Sequence, residues 1–397
     1  MVTVVRADWV WTGLEDAAIR DGMVIIDGNT IVRAGAYDAS AIPDGAELIE
    51  RPGEFLMPGL IDAHTHITIN PGMGNQIGQL HDPIEIQTMW GVRNLREMLD
   101  SGVTTARIMG EERWLDVTFK DQINKGYVAG PKLIVSTRPI SQSNGHGRAL
   151  SAFDGVDEIR KGSRENLYGG AEFLKMFITG GVSSTRGGGL LKASYSREEV
   201  RACVEEAERS GTYVGAHAIG GPGIRLAVEE GVRTIEHATL ATDDDIKLFE
   251  THQPWVVLTQ SIMMHPTGIE QGDKDNPIIM AKLHAARAQA AARLTAIVAS
   301  KTKISIGTDS MHGLFPFEME MLVKWGMSNV NALRAGTIRA AEVCQIEAKT
   351  GTLEPGKAAD LITVAGNPLE NIKDAARTRI VIKDGARQDR LQWAPPA

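Results

Sequence analysis

Two histidines one residue apart are the first sign of metal chemistry in this chain. An apolar run, residues 59–63, leads directly into His64 and His66. Because side chains alternate faces along an extended strand, the two imidazoles point the same way and can share one ion or line one pocket. Ten histidines in 397 residues also produce such a pair by chance. A metal site is therefore predicted only if other strands supply further ligands.

The elements that would position these histidines recur along the central part of the chain. Apolar, β-prone segments alternate with helical patterns, and eight strands are predicted over residues 60–66, 103–109, 132–137, 172–179, 213–217, 234–237, 255–259 and 303–309. This alternation predicts parallel βα units, and eight units predict an α/β fold, a (β/α)8 TIM barrel, over residues 58–349. The active site of such a barrel lies at the C-terminal ends of its strands.

The two ends of the chain differ from this central part. Residues 1–57 and 350–397 carry short β-rich pieces broken by turn residues. We predict that the two ends pair into one composite β-sandwich domain beside the barrel.

Polar residues with ligand chemistry fall on five of the predicted strands. They are His64 and His66 on strand 1, Lys175 on strand 4, His217 on strand 5, His237 on strand 6 and Asp309 on strand 8. Taken singly, a strand-end histidine is more often a hydrogen-bonded structural residue, and Asp309 can cap the next helix. Independent accidents would not place all six at one end of a barrel, so we predict a shared metal centre.

Lys175 is the informative member of this set. It lies in the apolar segment 173–178, where an inward-facing ammonium is costly unless the side chain extends outward to solvent. Carbamylation by CO2 would turn its tip into a carboxylate that can bridge two cations. We predict two divalent ions, Zn²⁺ first, with Mn²⁺, Co²⁺ or Fe²⁺ as substitutes, bridged by carbamylated Lys175 and a hydroxide. His64, His66 and Asp309 would surround one ion, and His217 and His237 the other.

This centre predicts hydrolysis. Two cations would activate the bridging water and polarise a scissile carbonyl, while Asp309 would take the proton and pass it to the leaving group. Deaminases at similar barrel mouths commonly need a glutamate one turn beyond the strand-5 histidine. This chain has Gly220 at that position, which argues against deamination.

Composition excludes other classes of function. The net charge is −8, and no basic run is available to bind nucleic acid or an anionic membrane. Cys203 and Cys344 alone provide no disulfide framework. The first residues lack the features of a signal peptide, and no run of about 18 apolar residues occurs. A cytoplasmic location is expected.

The segments around these residues resemble the amidohydrolase superfamily, in particular its binuclear members with a carboxylated lysine on strand 4. Residues 55–66 (FLMPGLIDAHTH) are similar to the family's first-strand signature, and residues 351–361 (GTLEPGKAADL) to its return into the β-sandwich. A narrower resemblance to the prolidase-like branch rests on residues 130–132 and 144–147, 179–181 and 235–237. Members of this branch include Xaa-Pro dipeptidases, carboxypeptidases acting on N-acyl amino acids, ochratoxin-type amidases, and hydrolases of phenylurea and thiocarbamate herbicides.

The resemblance implies a catalytic role for His146. It matches the branch's Gly-His-Gly histidine, which would polarise the substrate carbonyl opposite the metals; a loop-stabilising hydrogen bond is the alternative. Two positions depart from the branch. Ile108 follows Arg107 where an aspartate is usual, so a polar contact beneath the site is expected to be missing, and Ile219 replaces a polar residue. Neither residue is a metal ligand, so hydrolysis is still predicted. The two departures weaken the prediction that the substrate is a dipeptide.

The first hypothesis for the small-molecule substrate is a dipeptide, an N-acyl amino acid or a related small amide. Arg148 or Arg186 would then bind the substrate carboxylate, unless both are solvated loop charges. The alternative keeps the metals but hydrolyses a neutral carbamate, urea or aryl amide, including xenobiotics. Apolar loop residues such as Met89, Met263 and Phe315 are either pocket or ordinary core. A scaffold without activity would lack metal ligands, which are intact here, and the family resemblance favours a homo-oligomer.

Overall fold

The protein, described from a computed structural model over residues 2–185 and 189–389, contains strands and helices in regular alternation through its central part. The strands are β1 (Val2–Val10), β2 (Ile19–Asp27), β3 (Thr30–Ala36), β4 (Glu47–Pro58), β5 (Leu60–Thr65), β6 (Val103–Ile108), β7 (Lys132–Val135), β8 (Leu174–Phe177), β9 (Val214–Ala218), β10 (Thr234–His237), β11 (Trp255–Leu258), β12 (Lys303–Ile306), β13 (Leu361–Ala365), β14 (Thr378–Lys383) and β15 (Ala386–Arg387). The α-helices are α1 (Gln76–Gln79), α2 (Ile84–Asp100), α3 (Leu115–Asn124), α4 (Gly155–Tyr168), α5 (Arg197–Arg209), α6 (Pro222–Glu229), α7 (Asp243–His252), α8 (Ser261–Met264), α9 (Ile269–Gly272), α10 (Pro277–Ala299), α11 (Phe315–Lys324), α12 (Asn329–Ala335) and α13 (Ile338–Val343).

The eight strands from β5 to β12 are the eight predicted from the sequence, and neighbours within each sheet run parallel. Strands β5 to β7 form one sheet and β8 to β12 another. A parallel bridge joins Ile140, beyond β7, to Met176 of β8. At the other edges, the backbone N–H of Asp309 donates to the carbonyl of His64 at 2.8 Å. The predicted α/β class with parallel βα units is confirmed.

Continuous burial explains why these strands read as apolar runs. Every residue of β5, β6 and β8 to β11 is buried, as expected where both faces of a parallel sheet are covered. Polar side chains on these strands therefore lie inside the protein. Four of the six ligand candidates, His64, Lys175, His217 and His237, are among them.

Helix boundaries follow local signals where the sequence supplies them. Helices α5 and α7 each begin with a capping box, formed by Ser196 with Glu199 and by Thr242 with Asp245. Helix α4 has an incomplete apolar stripe, because its buried face includes Gly162, Ser163 and Asn166 besides Ile159.

The two ends of the chain pair in one seven-stranded sheet, in the order β15-β14-β13-β4-β1-β2-β3. Strand β4 links them, because it pairs parallel with β1 and antiparallel with β13. Buried apolar residues from both ends, including Val5, Leu56 and Leu361, form a shared core. The predicted pairing of the ends is confirmed, whereas the boundaries at residues 57 and 350 stay predictions.

Candidate metal centre and active site

One cavity at the C-terminal strand ends collects all six predicted ligands. Its lining residues with ionisable or imidazole groups are His64, His66, His146, Lys175, His217, His237 and Asp309. These residues come from six different strands or the loops that follow them, so the fold, not local sequence, brings them together.

The first half of the set consists of His64, His66 and Asp309. Oδ1 of Asp309 lies 3.5 Å from Nε2 of His64 and 3.6 Å from Nε2 of His66. One ligand atom from each residue falls within 4.8 Å of the others, a spacing that suits a single divalent ion. Although burial opposes it, the contact with His64 holds the pKa of Asp309 below its usual range. Asp309 is therefore a carboxylate.

The second half consists of His217 and His237, with His146 beside them. The ring centroids of His217 and His237 are 4.5 Å apart, as are those of His146 and His217. Burial lowers the pKa of His217 and His237 well below the ordinary value and that of His146 to about 3. All three rings are therefore neutral at pH 7, and neutral imidazole is the form that binds metal.

Each of the four ligand-type histidines has one ring nitrogen held by the protein. The bonds join Nδ1 of His64 to Oε2 of Glu236 (2.7 Å), Nδ1 of His66 to the Gly110 carbonyl (2.9 Å), Nε2 of His217 to the Gly180 carbonyl (3.0 Å) and Nδ1 of His237 to Oγ1 of Thr259 (2.6 Å). Such bonds leave the second nitrogen of each ring available, as in protein metal sites. Nε2 of His64 is buried with no hydrogen-bond partner among the described residues. The donor set fits divalent metal ions.

Lys175 is fully buried and its Nζ has no hydrogen-bond partner among the described residues. Nζ lies 4.7 Å from the ring centroid of Phe177. Burial lowers the pKa of Lys175 to about 8, so the neutral, nucleophilic amine is a minor form at pH 7 but far more abundant than for an exposed lysine. The outward-facing alternative does not hold, because the side chain lines the cavity.

Beneath the first half lies a charged network that the sequence analysis missed. Glu236, which bonds His64, also accepts a hydrogen bond from Nη2 of Arg107 at 2.7 Å, and both side chains are fully buried. Nε of Arg107 donates to the Ala63 carbonyl at 2.6 Å. Although burial opposes it, the Arg107 guanidinium holds the pKa of Glu236 down to about 2. A buried polar network therefore lies beneath the site, although Ile108 itself adds no polar group to it.

Backbone geometry places two of the ligands. His237 and Asp309 have φ values of 75° and 49°, a left-handed region that non-glycine residues seldom adopt. Glu236 and His237 are consecutive, yet Glu236 bonds His64 while His237 lines the cavity. In an extended strand the side chains of Glu236 and His237 would point to opposite faces. The left-handed backbone at His237 allows both side chains to contribute to the same site.

The predicted substrate residues are placed differently. Arg148 is exposed and does not line the cavity, and Arg186 lies outside the described residues. The cavity wall is largely apolar, with Ile69, Ile77, Leu80, Phe177, Val182, Ile219, Ile262, Met263 and Ile269. Of the loop residues that were candidates for this wall, Met263 contributes to it, whereas Phe315 is buried in the core and Met89 is 70% exposed.

Comparison with known proteins agrees with the fold and this site. Residues 55–386 match the Amidohydrolase family, and the chain belongs to that family, whose members generally use divalent metal. Ochratoxinase from Aspergillus niger is 30% identical over 351 residues, covering 80% of this chain and 72% of ochratoxinase; its crystal structure superposes with a TM-score of 0.85 at 26% identity, covering 97% and 95% of the two chains.

Solved structures place the chain within a branch of the family. A Xaa-Pro dipeptidase with bound methionine has a TM-score of 0.88 and 27% identity, covering 98% of this chain and 100% of its own. A prolidase complexed with N-methylphosphonate-L-proline has the same TM-score at 29% identity and the same coverage. The chain is thus an amidohydrolase of the prolidase-like branch, a hydrolase acting on carbon–nitrogen bonds. Among the described residues no helix is both long and apolar enough to cross a membrane.

Proposed function

We propose that the chain is a binuclear metal-dependent amidohydrolase that hydrolyses the amide bond of a dipeptide, an N-acyl amino acid or a related small amide with an apolar side chain. One observation carries this proposal: six ligand-type residues and His146 line a single cavity whose wall is otherwise largely apolar. Apolar walls with a few convergent polar groups are typical of small-molecule sites.

The metals would be held by the residues already described. His64, His66 and Asp309 would bind one ion, His217 and His237 the other, and carbamylated Lys175 would bridge them, with Zn²⁺ as the expected metal because the donors are nitrogen and oxygen. When bound, the ions supply activation of water and polarisation of the scissile carbonyl. The unpartnered Nζ of buried Lys175 supports its carbamylation, because the neutral amine is the form that reacts with CO2.

The remaining steps belong to side chains of this protein. Asp309, a carboxylate within 4.0 Å of both halves of the ligand set, would accept the proton of the attacking water and return it to the departing amine. Neutral His146 has an unpartnered buried Nδ1, and its ring would donate a hydrogen bond to the substrate carbonyl oxygen. The apolar wall would exclude bulk water during this transfer.

A second candidate is hydrolysis of a neutral carbamate, urea or aryl amide at the same centre. The specific observation in its favour is that no arginine lines the cavity among the described residues. A substrate carboxylate would therefore require Arg186, or a movement of Arg148, to reach it.

A substrate panel would test both candidates. The metal-loaded full chain is assayed on N-acyl-leucines, Xaa-Pro dipeptides and aryl carbamates, with the Asp309→Asn variant as a control for contaminating hydrolases. The proposal predicts turnover of substrates that carry a carboxylate. Activity confined to neutral substrates would favour the second candidate, and no activity on any amide or carbamate would contradict both.

The proposal also covers the barrel and β-sandwich architecture, the location of the enzyme and its oligomeric state. The Asp309–His64 backbone bond and the bridge at Ile140 support closure of β5 to β12 into a (β/α)8 barrel, and the seven-stranded sheet would form the β-sandwich. We place the enzyme in the cytoplasm as a homo-oligomer; size-exclusion chromatography with light scattering would measure the oligomeric state.

A further inference from the structure

Gln76 is a buried polar residue of the cavity that has no role in the proposed centre. It is 5% exposed and lines the cavity from α1, in the loop that follows β5. Its Nε2 is buried without a hydrogen-bond partner among the described residues. Leaving a buried donor unpaired is unfavourable, so we expect a group that binds in the cavity to satisfy it.

The other unpartnered polar atoms of the cavity are accounted for differently. His64, His146 and Lys175 each have such an atom, and each has a part in metal binding or catalysis. Thr239 Oγ1 is also unpartnered, but a hydroxyl rotates freely and fixes no direction. The amide of Gln76 is planar, so its N–H donors point in fixed directions once the side chain is placed.

The loop that carries Gln76 is braced on both sides. Gln79 closes it internally, because its Nε2 donates to the carbonyls of Asn70 and Gly74 and its Oε1 accepts from the Asn70 N–H. The N–H of Asn75 donates to Asp273 at 3.1 Å. A Cβ at Gly74 would collide with the carbonyl of Gly272, so the two backbones are in direct contact. Gln76 is therefore presented by a rigid support.

The surroundings of Gln76 define what it would bind. Ile69, Ile77 and Leu80, from the same stretch of chain after β5, also line the cavity and offer no hydrogen-bonding side chain. A donor amide in an apolar wall pairs best with a neutral acceptor oxygen, such as an ether or carbonyl, because a carboxylate would lose more hydration there than one amide restores.

We infer that Gln76 is a specificity-determining residue that donates a hydrogen bond to an acceptor oxygen of the substrate outside the scissile bond. The inference rests on the proposed hydrolysis at this cavity. It names the substrate class more closely: an apolar amide with one neutral oxygen acceptor away from the reacting carbonyl.

The test uses a series of amides of one amine, in which an ether oxygen replaces successive methylenes of the acyl chain. The ratio of kcat/KM for each ether to kcat/KM for the all-methylene parent is measured in the metal-loaded enzyme and in Gln76→Met, which keeps the length of the side chain and removes its donor. One ether position should be preferred by about fivefold or more in the wild type, and the preference should fall to about one in Gln76→Met.

The matched control is Gln79→Met, three residues along the same loop. Gln79 supports the loop and Gln76 does not, so Gln79→Met should lower the melting temperature whereas Gln76→Met should leave it near the wild-type value. An equal loss of thermal stability in both variants would make Gln76 a structural residue and overturn the inference.

Two kinetic outcomes would also overturn it: no ether position preferred by the wild type, or a preference that persists in Gln76→Met. Failure of the proposed function is distinct, because the wild type would then hydrolyse neither the ethers nor the parent amide, and the inference would fail with it.

Discussion

The two halves of the ligand set are held in different ways. His64 is oriented by Glu236, and Glu236 is paired with Arg107, so a charged and fully buried network supports this half. His217 and His237 are oriented by a backbone carbonyl and a threonine hydroxyl. The orientation of His64 in the first half therefore depends on a buried charge pair, whereas both histidines of the second half depend on neutral hydrogen bonds.

This difference determines which properties of the protein a mutation in each half would change. A carboxylate that accepts from an imidazole raises the basicity of the ligating nitrogen more than a neutral acceptor does. The same carboxylate compensates a buried guanidinium, whose charge would be strongly destabilising alone. Changes in the first half should therefore affect both folding and metal binding, whereas changes in the second should mainly affect ligand orientation.

The largest effect is expected at Asp309, which belongs to the first half and also lies 4.0 Å from His237 of the second. Asp309→Asn removes the proton acceptor while keeping the shape of the side chain, so kcat should fall by about 10²–10⁴-fold. Steady-state kinetics measure the loss, and circular dichroism checks that the fold is retained. A rate near that of the wild type would contradict the proton-transfer role.

Lys175→Ala should have the next largest effect on activity, because this variant loses the proposed bridge between the two metal ions. Metal content measured by elemental analysis should drop below two ions per chain, and a short carboxylic acid such as propionate should restore part of the activity. Lys282→Ala is the matched control, since Lys282 donates to the Ser184 carbonyl but lies outside the ligand set. If Lys175→Ala still binds two ions per chain, Lys175 is not a metal ligand.

Glu236→Gln and Thr259→Val compare the halves directly. Glu236→Gln leaves Arg107 buried without a counter-charge, which should lower the free energy of unfolding by about 3–5 kcal/mol and metal affinity by about 10–100-fold. Thr259→Val removes one neutral hydrogen bond, worth about 1 kcal/mol. Urea denaturation and competition with a chelator measure the two quantities. Equal effects in the two variants would remove the distinction between the halves.

The smallest effect is expected for the charge network around Glu206, a buried carboxylate whose arginine partners are partly exposed. Glu206 on α5 contacts Arg160, Arg164 and Arg209, and two of these arginines are more than half exposed. Glu206→Gln should lower the free energy of unfolding by only about 1 kcal/mol, because solvent screens such pairs.

The pH dependence of the stability of Glu206→Gln tests whether the ionised Glu206 carboxylate stabilises the folded state. Hydrogen bonds from Arg164, opposed by burial, lower the pKa of Glu206 to about 2 from its ordinary 4.5. A depressed pKa contributes stability above the unfolded value, and this contribution disappears as the pH falls through the folded value. Urea midpoints of wild type and variant should therefore differ at pH 7 and converge between pH 4.5 and 2. A difference that grows in acid would contradict the assignment.

Strand periodicity was sufficient to predict the α/β fold and to gather six ligand candidates, because parallel strands present their C-terminal ends together. Glu236 was missed for a physical reason. Alternation allows only one of Glu236 and His237 to face the site, and the sequence carries no signal for the left-handed turn at His237. Met263 was a candidate for the cavity wall, but most of the wall was beyond prediction, since residues such as Ile219 reach it through loops whose courses depend on tertiary contacts.

The pairing of β4 with β13 has a consequence for how the protein is made. Residues 54–58 pair with residues 361–365, so the last part of β4 has no partner on that edge while the whole central region is being synthesised. At about 5–20 residues per second on the ribosome, the wait is on the order of 15–60 seconds. The eight βα units can form contacts with their neighbours during that time, whereas the terminal sheet is completed only after nearly the entire chain has emerged. A nascent chain halted before β13 should therefore leave this edge of β4 open to aberrant pairing.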